Sequence, residues 1–353
     1  MTLDLGAPAT DLVRTLVDIE SVSGNEARIA DEIEAALGEA THLQVERNGN
    51  TVVARTDLGR DKRILLAGHT DTVPLAGNLP SRIDGDRLYG CGTTDMKGGL
   101  AVLLSMAATV AAPRYDVTYV AYEGEEVESD RNGLKHLVDQ HPDWLETELA
   151  ILMEPTRARI EAGCQGTLRV EVLVPGVRAH SARSWVGVNA IHDAAPLLAT
   201  LAAYDGRRVV IDGCEYREGL NAVRISGGVA GNVVPDECRV EINYRFAPDR
   251  SESDALVAVQ EMLSPYQVVL MDVAGGAMPG LHLPAAQEFI AAVGDRPTAK
   301  LGWTDVARFS ALGVPAVNFG PGDPLLAHTR DEYVELPEVD RAADVMRRYL
   351  TGS

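Results

Sequence analysis

Short runs of apolar residues recur in the first and last parts of the chain, and helical patterns separate them. Runs this continuous are typical of strands that are covered on both faces. A long Ala/Leu-rich segment at 98–112 predicts a helix, and Ser23 followed by Glu26 predicts a capping box that opens another. Strands that alternate with helices predict an α/β fold with a mostly parallel sheet sandwiched by helices. The apolar runs are RILLAG (63–68), DVTYVAY (116–122), LAILM (149–153), TAKLGW (298–303) and PAVNFG (315–320).

The middle of the chain follows a different pattern, in which apolar and polar residues alternate. The segments LRVEVLV (168–174) and ECRVEINYRF (237–246) show it most strictly. Alternation of this kind is typical of antiparallel strands with one open face. With predicted helices at 186–204 and 251–263 and strands at 222–228 and 267–273, the order β-α-β-β-α-β predicts a ferredoxin-like α+β domain. We therefore expect residues 167–275 to be inserted into a larger domain made of 1–166 and 276–353.

Charge and cysteine usage narrow the class of protein. The 353 residues carry a net charge of −20 and no block of Lys or Arg, which argues against nucleic acid or an anionic membrane as a partner. The amino-terminal residues lack the features of a signal peptide, and no apolar run approaches the roughly 20 residues of a membrane span. Four scattered cysteines without a CxxC pair predict a reduced, cytoplasmic protein.

Acidic and imidazole side chains follow the apolar runs, at the points where the predicted strands end. In open α/β sheets, the carboxyl ends of the strands form the ligand crevice. The predicted strands and one glycine-rich turn therefore bring these groups to one edge of the sheet. The residues are His69, Asp71, Asp95 (in the turn), Glu125, Glu126, Glu154 and His328.

The segment YEGEEVES crowds three glutamates, Glu123, Glu125 and Glu126, into four positions after a strand. Alone, this segment is more often a solvated turn, a histidine after a strand is usually structural, and Asp95 could cap the following helix. Together, carboxylates and two neutral histidines at one rim would repel one another without a cation. Such ligands suit Zn²⁺, with Co²⁺ or Mn²⁺ as substitutes, and their number fits two ions that share a carboxylate. A nucleotide-binding site is disfavoured because GCGTTDMKGG matches neither GxGxxG nor GxxxxGK[ST].

Several motifs of the chain resemble those of the dinuclear zinc aminoacylase/carboxypeptidase family. They are GHTDTVP, GTTDMKGG, EGEE and MEP, followed by an alternating insert and a late histidine, and they cover nearly the whole chain. The segments YEGEEVESDRNGL and FGPGDPLLAHTRDEY are most similar to the actinobacterial desuccinylases of this family. The resemblance implies a metal-dependent hydrolase of linear amides, with a zinc-peptidase-like catalytic domain and an inserted dimerisation or lid domain.

The resemblance also implies a role for each residue at the rim. His69 and Glu154 are expected to bind one zinc ion, Glu126 and His328 the other, and Asp95 to bridge them. Two further roles concern Asp71, which is expected to hydrogen-bond the second ring nitrogen of His69, and Glu125, which is expected to be the general base.

The inserted domain carries further expectations that rest on the resemblance. His180 is expected to reach the active site of a partner subunit in a homodimer and to donate a hydrogen bond to the oxyanion. The substrate is expected to be a small anionic derivative of an amino acid. Its expected contacts are Asn232, Arg245, Thr304 and Arg308.

Two positions depart from the family pattern, and the substrate stays open among relatives. Cys91 stands where many relatives have Arg, and Trp303 stands beside the expected carboxylate pocket in GWTD. The same metal site would serve a desuccinylase, an acetylornithine deacetylase or a small-peptide carboxypeptidase. A non-catalytic metal-binding member would not need Glu125, Asp71 and His180, so their presence favours an enzyme.

Overall fold

The structure, a computed structural model, describes residues 3–352 and divides the chain into two compact units. The first unit contains the chain up to Ala162, Pro279–Thr298, and the chain from Arg308 onward. The second unit contains Gly163–Met278 and Ala299–Ala307. The segment Ala299–Ala307, which the sequence placed in the larger domain, therefore belongs to the second unit.

Ten α-helices and nineteen strands occur in the described residues. The helices are α1 (Ala9–Val17), α2 (Ala27–Gly38), α3 (Gly98–Thr109), α4 (Gly133–Gln140), α5 (Ala190–Asp193), α6 (Ala195–Ala202), α7 (Glu252–Met262), α8 (Pro284–Val293), α9 (Val306–Ala311) and α10 (Leu336–Thr351). The strands are β1 (Gln44–Asn48), β2 (Thr51–Arg55), β3 (Arg63–His69), β4 (Arg82–Asp84), β5 (Arg87–Tyr89), β6 (Asp116–Tyr122), β7 (Leu149–Leu152), β8 (Glu161–Ala162), β9 (Gly166–Pro175), β10 (Ala179–His180), β11 (Arg208–Ile211), β12 (Cys214–Arg217), β13 (Gly219–Gly227), β14 (Val233–Val234), β15 (Glu237–Phe246), β16 (Val268–Ala274), β17 (Thr298–Ala299), β18 (Ala316–Asn318) and β19 (Tyr333–Glu335).

The first unit is built on a sheet with the strand order β1-β2-β6-β3-β7-β18-β8-β17. The strands β6, β3, β7 and β18 are parallel, whereas β1, β2 and β8 pair antiparallel at the sides. Every residue of β6 is buried, as its continuous apolar run predicts. The fold prediction is therefore confirmed, with helices α3 and α10 among the packed elements.

Two predicted elements of the first unit differ from the structure. Helix α2 begins at Ala27 without a side-chain cap, and the Ser23 hydroxyl instead donates to Asp71 Oδ2 at 2.7 Å. The run TAKLGW forms only the two-residue strand β17. The rest of that run belongs to the second unit, where Trp303 Nε1 donates to the Gly275 carbonyl at 3.1 Å.

The second unit contains a four-stranded antiparallel sheet with the order β13-β15-β9-β16. One face of β15 is buried along its whole length, and it packs against residues of α6 and α7 such as Leu197 and Val259. The four strands of this sheet and the helices between them follow the predicted order β-α-β-β-α-β, and the short pairs β10-β14 and β11-β12 are additional. The predicted helix at 186–204 is shorter and is divided into α5 and α6, with Pro196 in the first turn of α6, where a missing N–H is tolerated.

A buried carboxylate joins several elements of the second unit. Glu218 accepts from Arg207 Nη2 at 2.8 Å, the Tyr244 hydroxyl at 2.8 Å and the Ala247 N–H at 3.1 Å. Arg250 and the Tyr204 hydroxyl lie at 3.9 and 3.3 Å. Burial raises the pKa of Glu218, but these partners outweigh burial and lower it below the usual value.

Within residues 3–352, no helix is both long and apolar enough to cross a membrane.

Candidate metal centre

Five segments of the first unit carry the predicted metal ligands. His69 is the last residue of β3, Glu126 follows β6, and Glu154 follows β7. Asp95 lies in the irregular turn Thr93–Lys97 before α3, and His328 lies in the loop that follows β18. The strands β6, β3, β7 and β18 are parallel, so their carboxyl ends share one edge of the sheet.

The Asp95 carboxylate lies between two imidazoles. Its Oδ1 is 3.1 Å from His69 Nε2, and its Oδ2 is 3.4 Å from His328 Nε2. The same nitrogen of His328 is 2.9 Å from Glu126 Oε1. One ligand atom from each of His69, Asp95 and Glu126 lies within 4.8 Å of the others. These atoms fit a divalent metal, and a carboxylate with an imidazole at each oxygen suits a bridging ligand.

The tautomer of His69 is set by its second nitrogen. Nδ1 lies 3.0 Å from the carbonyl oxygen of Asp71 and 3.4 Å from its Oδ1. Both atoms are acceptors, so Nδ1 carries the proton and donates. In the neutral ring, Nε2 then keeps its lone pair on the side of Asp95, which is the form that binds a metal.

Asp71 also anchors the turn that carries the glutamates. Its Oδ1 accepts from the N–H of Glu125 at 3.0 Å, and its Oδ2 accepts from the N–H of Glu126 at 3.1 Å. The Ser23 hydroxyl donates to Oδ2 as well. Burial raises the pKa of Asp71, but the hydrogen bonds and charge of His69 and these donors lower it to about 2. Asp71 is therefore held as a carboxylate.

The three crowded glutamates do not share one environment. Glu123 turns toward the β1–β2 hairpin, where it accepts from the N–H and the Nδ2 of Asn50, each at 2.8 Å. Gly124 has a φ of 68°, and a Cβ atom there would overlap the carbonyl oxygen of Arg131. This glycine turn separates Glu123 from Glu125 and Glu126, whose N–H groups bond Asp71.

The glycine pair after Asp95 allows close packing beside Glu154. A Cβ atom at Gly99 would overlap the carbonyl oxygen of Met153, the residue before Glu154. The first turn of α3 can therefore lie against the end of β7 only with glycine at this position. Glu154 itself is buried, with 5% of its surface exposed.

The electrostatics of the cluster favour positive charge. Hydrogen bonds with Asp95 and Glu126 raise the pKa of His328 to about 10. Burial lowers the pKa of His69, but Asp71 and Asp95 outweigh it and raise the pKa well above its usual value. Burial raises the pKa of Asp95, and its two histidine partners lower it below the usual range. A divalent cation would supply the positive charge that these carboxylates stabilise.

Two residues near the cluster were missed by sequence reasoning. Ser23 was assigned to a helix cap, although it bonds Asp71. Glu332 was not singled out, yet its buried carboxylate accepts from the backbone of the Asp95 turn. Burial raises the pKa of Glu332 to about 7, against the opposing effect of these N–H groups. The spacing of Glu332 four residues after His328 was the only available signal.

The remaining predicted residues lie in different places. His180 and Asn232 are neighbours in the second unit, where the Ser181 N–H donates to the Asn232 carbonyl at 2.9 Å beside the β10–β14 pair. Arg245 lies on β15 of the same unit. The other two predicted contacts are Thr304, which is buried in the second unit, and Arg308, which belongs to the first unit.

The two departures from the family pattern have structural partners. The Cys91 thiol is buried and donates to the Val73 carbonyl at 3.6 Å in the first unit. Trp303 is held by its bond to the Gly275 carbonyl in the second unit. Both side chains are therefore held in place by hydrogen bonds to the backbone.

The family model described as peptidase family M20/M25/M40 matches residues 65–352, and the chain belongs to this family. A Mycobacterium tuberculosis protein provisionally named succinyl-diaminopimelate desuccinylase is 57% identical over 353 residues, which cover 99% of this chain and 100% of the relative. The Corynebacterium glutamicum succinyl-diaminopimelate desuccinylase is 49% identical over 360 residues, which cover 99% and 98%. The predicted family resemblance and the prediction of an enzyme that hydrolyses amide bonds are confirmed.

A solved structure gives the same fold at low sequence identity. The M20 family metallo-carboxypeptidase from Sulfolobus solfataricus matches with a TM-score of 0.77 at 16% identity, over 97% of this chain and 98% of its own.

Proposed function

We propose that the protein is a dinuclear zinc amidohydrolase that cleaves N-succinyl-LL-2,6-diaminopimelate into succinate and LL-2,6-diaminopimelate. The observation that carries the metal chemistry is the Asp95 carboxylate, whose two oxygens face two different imidazoles. The names of the mycobacterial and corynebacterial relatives support the choice of substrate. The reaction would belong to lysine and cell-wall precursor biosynthesis in the cytoplasm.

The proposed ligands divide between two ions. His69 and Glu154 would hold one zinc ion, Glu126 and His328 would hold the other, and Asp95 would be shared between them. Imidazole nitrogen and carboxylate oxygen are ligands of zinc, and Co²⁺ or Mn²⁺ can take their place. Bound zinc supplies Lewis acidity, which polarises the amide carbonyl and lowers the pKa of water.

Glu125 is proposed as the general base and general acid. Its N–H donates to Asp71, which fixes the backbone from which the side chain projects. The Glu125 carboxylate takes a proton from the attacking water and delivers it to the amine nitrogen as the C–N bond breaks. The carboxylate is thereby restored, and a contribution of about 10²–10⁴-fold to the rate is expected.

His180 is proposed as a donor to the oxyanion. Its Nδ1 accepts from the Ala182 N–H at 3.0 Å, so the neutral ring carries its proton on Nε2 and can donate from there. The side chain is exposed, as is Trp185 in the same turn, at 78%. An exposed donor suits a residue that completes the site of a partner subunit.

A homodimer through the second unit is proposed on the basis of strand β13. This strand is at the edge of its sheet, and it is exposed from Asn221 onward. Val223 and Ile225 are 57% and 50% exposed. An exposed apolar edge strand can pair with the same strand of a second copy of the chain.

Arg245 is proposed to bind a carboxylate of the substrate. Burial lowers the pKa of Arg245, and its Nε donates to the neutral Asn243 Oδ1 at 3.2 Å. No aspartate or glutamate in the described part of the chain forms an ion pair with it. A half-buried guanidinium without an acidic partner suits an anionic ligand. Asn232, Thr304 and Arg308 are proposed as the further contacts.

The test compares hydrolysis of N-succinyl-LL-diaminopimelate, N-acetyl-ornithine and a small dipeptide panel, with zinc-loaded and chelator-treated protein. Chelator-sensitive cleavage of the succinyl amide in clear preference to the others is expected. Preference for acetyl-ornithine or a dipeptide would contradict the desuccinylase assignment, and no turnover with two zinc ions bound would favour a non-catalytic member.

The variants Glu125→Gln and Glu123→Gln test the proposed mechanism. Glu125→Gln is expected to keep both zinc ions and to lose about 10²–10⁴-fold in kcat. Glu123 lies in the same turn, but its side chain bonds Asn50. Glu123→Gln is therefore the matched control and should keep the wild-type rate. Equal rates for the two variants would refute the role of Glu125.

A further inference from the structure

The carboxylate of Glu332 is surrounded by backbone N–H groups of the turn that carries Asp95. Oε1 accepts from the N–H of Thr94 at 2.8 Å and of Asp95 at 3.1 Å, and Oε2 accepts from the N–H of Gly92 at 3.1 Å. Glu332 is 2% exposed. One side chain therefore holds three N–H groups of a single turn.

The turn needs this external acceptor because its backbone is not helical. Asp95 has a φ of −119° and a ψ of 93°, and Met96 also departs from helical values. N–H groups before the first turn of a helix have no intrahelical carbonyl partner, and buried ones must bond elsewhere. Glu332 supplies the acceptor for the N–H of Asp95 itself.

The same segment ties the turn to the loop of His328. The N–H of Gly90 donates to the Glu332 carbonyl at 3.1 Å, and the Thr94 hydroxyl donates to the Tyr333 carbonyl at 2.6 Å. Glu332 follows His328 by four residues. The contacts of Glu332 thus fix the position of Asp95 relative to the segment that carries one of its two imidazole partners.

We propose that Glu332 is a positioning residue that orients the Asp95 carboxylate to bridge two metal ions. This inference rests on the proposed dinuclear site. A bridging carboxylate must direct its two oxygens at two positions at once, so it tolerates less rotation than a ligand of one ion. The three N–H bonds to Glu332 fix the backbone from which the Asp95 side chain projects. Glu332 is not one of the proposed metal ligands, and it acts on Asp95 through the backbone of the turn.

The test uses Glu332→Gln, with Glu332→Asp as the conservative variant and Glu335→Gln as the control. In either orientation, the glutamine amide directs an NH₂ group at one or more of the three N–H donors. The turn therefore loses at least one of its hydrogen bonds to residue 332. Aspartate keeps the charge and both acceptors on a shorter side chain. Glu335 lies three residues later, at the end of β19, and pairs with Arg87 at the surface.

Metal affinity is measured by chelator competition, the ligand field by the visible spectrum of the Co²⁺-loaded protein, and folding by unfolding of the metal-free protein. Glu332→Gln is expected to bind at least one of the two ions about 10–100-fold more weakly and to change the cobalt spectrum. Its kcat should fall with little change in KM. Glu332→Asp should recover part of the affinity, and Glu335→Gln should match the wild type.

Two outcomes would overturn the inference, and they are distinguishable. If both Glu332 variants bind two ions with wild-type affinity and spectrum and differ only in unfolding, Glu332 is a structural cap alone. If Glu332→Gln does not fold, metal affinity and the cobalt spectrum are measured on Glu332→Asp alone. Wild-type values for that variant would then overturn the inference. If the wild-type protein does not bind two ions, the proposed dinuclear function fails together with this inference.

Discussion

Replacement of Asp71 by asparagine tests the link between the buried carboxylate and the metal centre. The two oxygens of Asp71 serve the N–H groups of Glu125 and Glu126, the Ser23 hydroxyl and the His69 ring. Asparagine keeps one acceptor and replaces the other with an NH₂ donor. Whichever way the amide is oriented, its nitrogen faces the N–H of Glu125 or the N–H of Glu126.

The expected losses of stability and of metal affinity in Asp71→Asn follow from these contacts. A buried N–H left against a donor costs about 1–3 kcal/mol, and the loss of a charged acceptor adds to it. We therefore expect Asp71→Asn to lower the free energy of unfolding of the metal-free protein by about 2–4 kcal/mol. The loss of the partner that orients His69 should weaken metal binding by about 10–100-fold, which equals about 1.4–2.7 kcal/mol.

Asp116→Asn is the matched control for this prediction. Asp116 is also buried, and it accepts from the N–H groups of Leu58 and Arg60 and from the Thr56 hydroxyl, each at 2.8 Å. It begins β6, at the opposite end of the strand from the metal centre. Urea unfolding and chelator competition on both variants should show comparable losses of stability but weaker metal binding only for Asp71→Asn. Wild-type metal affinity in a folded Asp71→Asn protein would refute the reasoning.

Two further predictions concern packing and pH. Gly99→Ala should lower the free energy of unfolding by at least about 1–3 kcal/mol, because the added methyl group overlaps the Met153 carbonyl. Gly38→Ala is the control, because a methyl group there meets open space. Equal melting temperatures for the two variants would contradict this prediction. Glu218→Gln should lower the free energy of unfolding at pH 7 by about 2–3 kcal/mol through the loss of charged hydrogen bonds with Arg207. The folded-state pKa of Glu218 is lowered, so its contribution is full above the usual value of 4.5 and is lost as the pH falls through the folded-state pKa. The difference from the wild type should therefore shrink in acid, and a difference that is constant across a urea-unfolding pH series would be inconsistent with this.

The sequence was informative where a local pattern determines the structure. The continuous apolar runs of β3 and β6 and the strict alternation of β15 predicted the two kinds of sheet, because burial on one or both faces leaves a direct trace in the pattern. The strand end and the glycine-rich turn predicted His69 and Asp95 at one edge of the sheet, and His69 Nε2 lies 3.1 Å from Asp95 Oδ1.

Other features depend on contacts that are distant in sequence. Ser23 and Glu26 match a capping box, yet the hydroxyl of Ser23 bonds Asp71, 48 residues away. Glu332 accepts a hydrogen bond from the N–H of Asp95, 237 residues earlier, and no spacing rule predicts that these two residues meet. The different environments of Glu123 and Glu125 depend on the Gly124 turn and on Asn50, so the crowded sequence alone does not separate the two residues.

The position of β18 in the sheet has a consequence for synthesis of the chain. It lies between β7 and β8, although Gly163–Met278 of the second unit comes between β8 and β18 in the sequence. On the ribosome, β7 and β8 emerge long before the strand that joins them, whereas most of the second unit is continuous and can fold as it emerges. A nascent chain that stops before β18 therefore exposes the edge of β7, and an exposed strand edge is open to pairing with another chain.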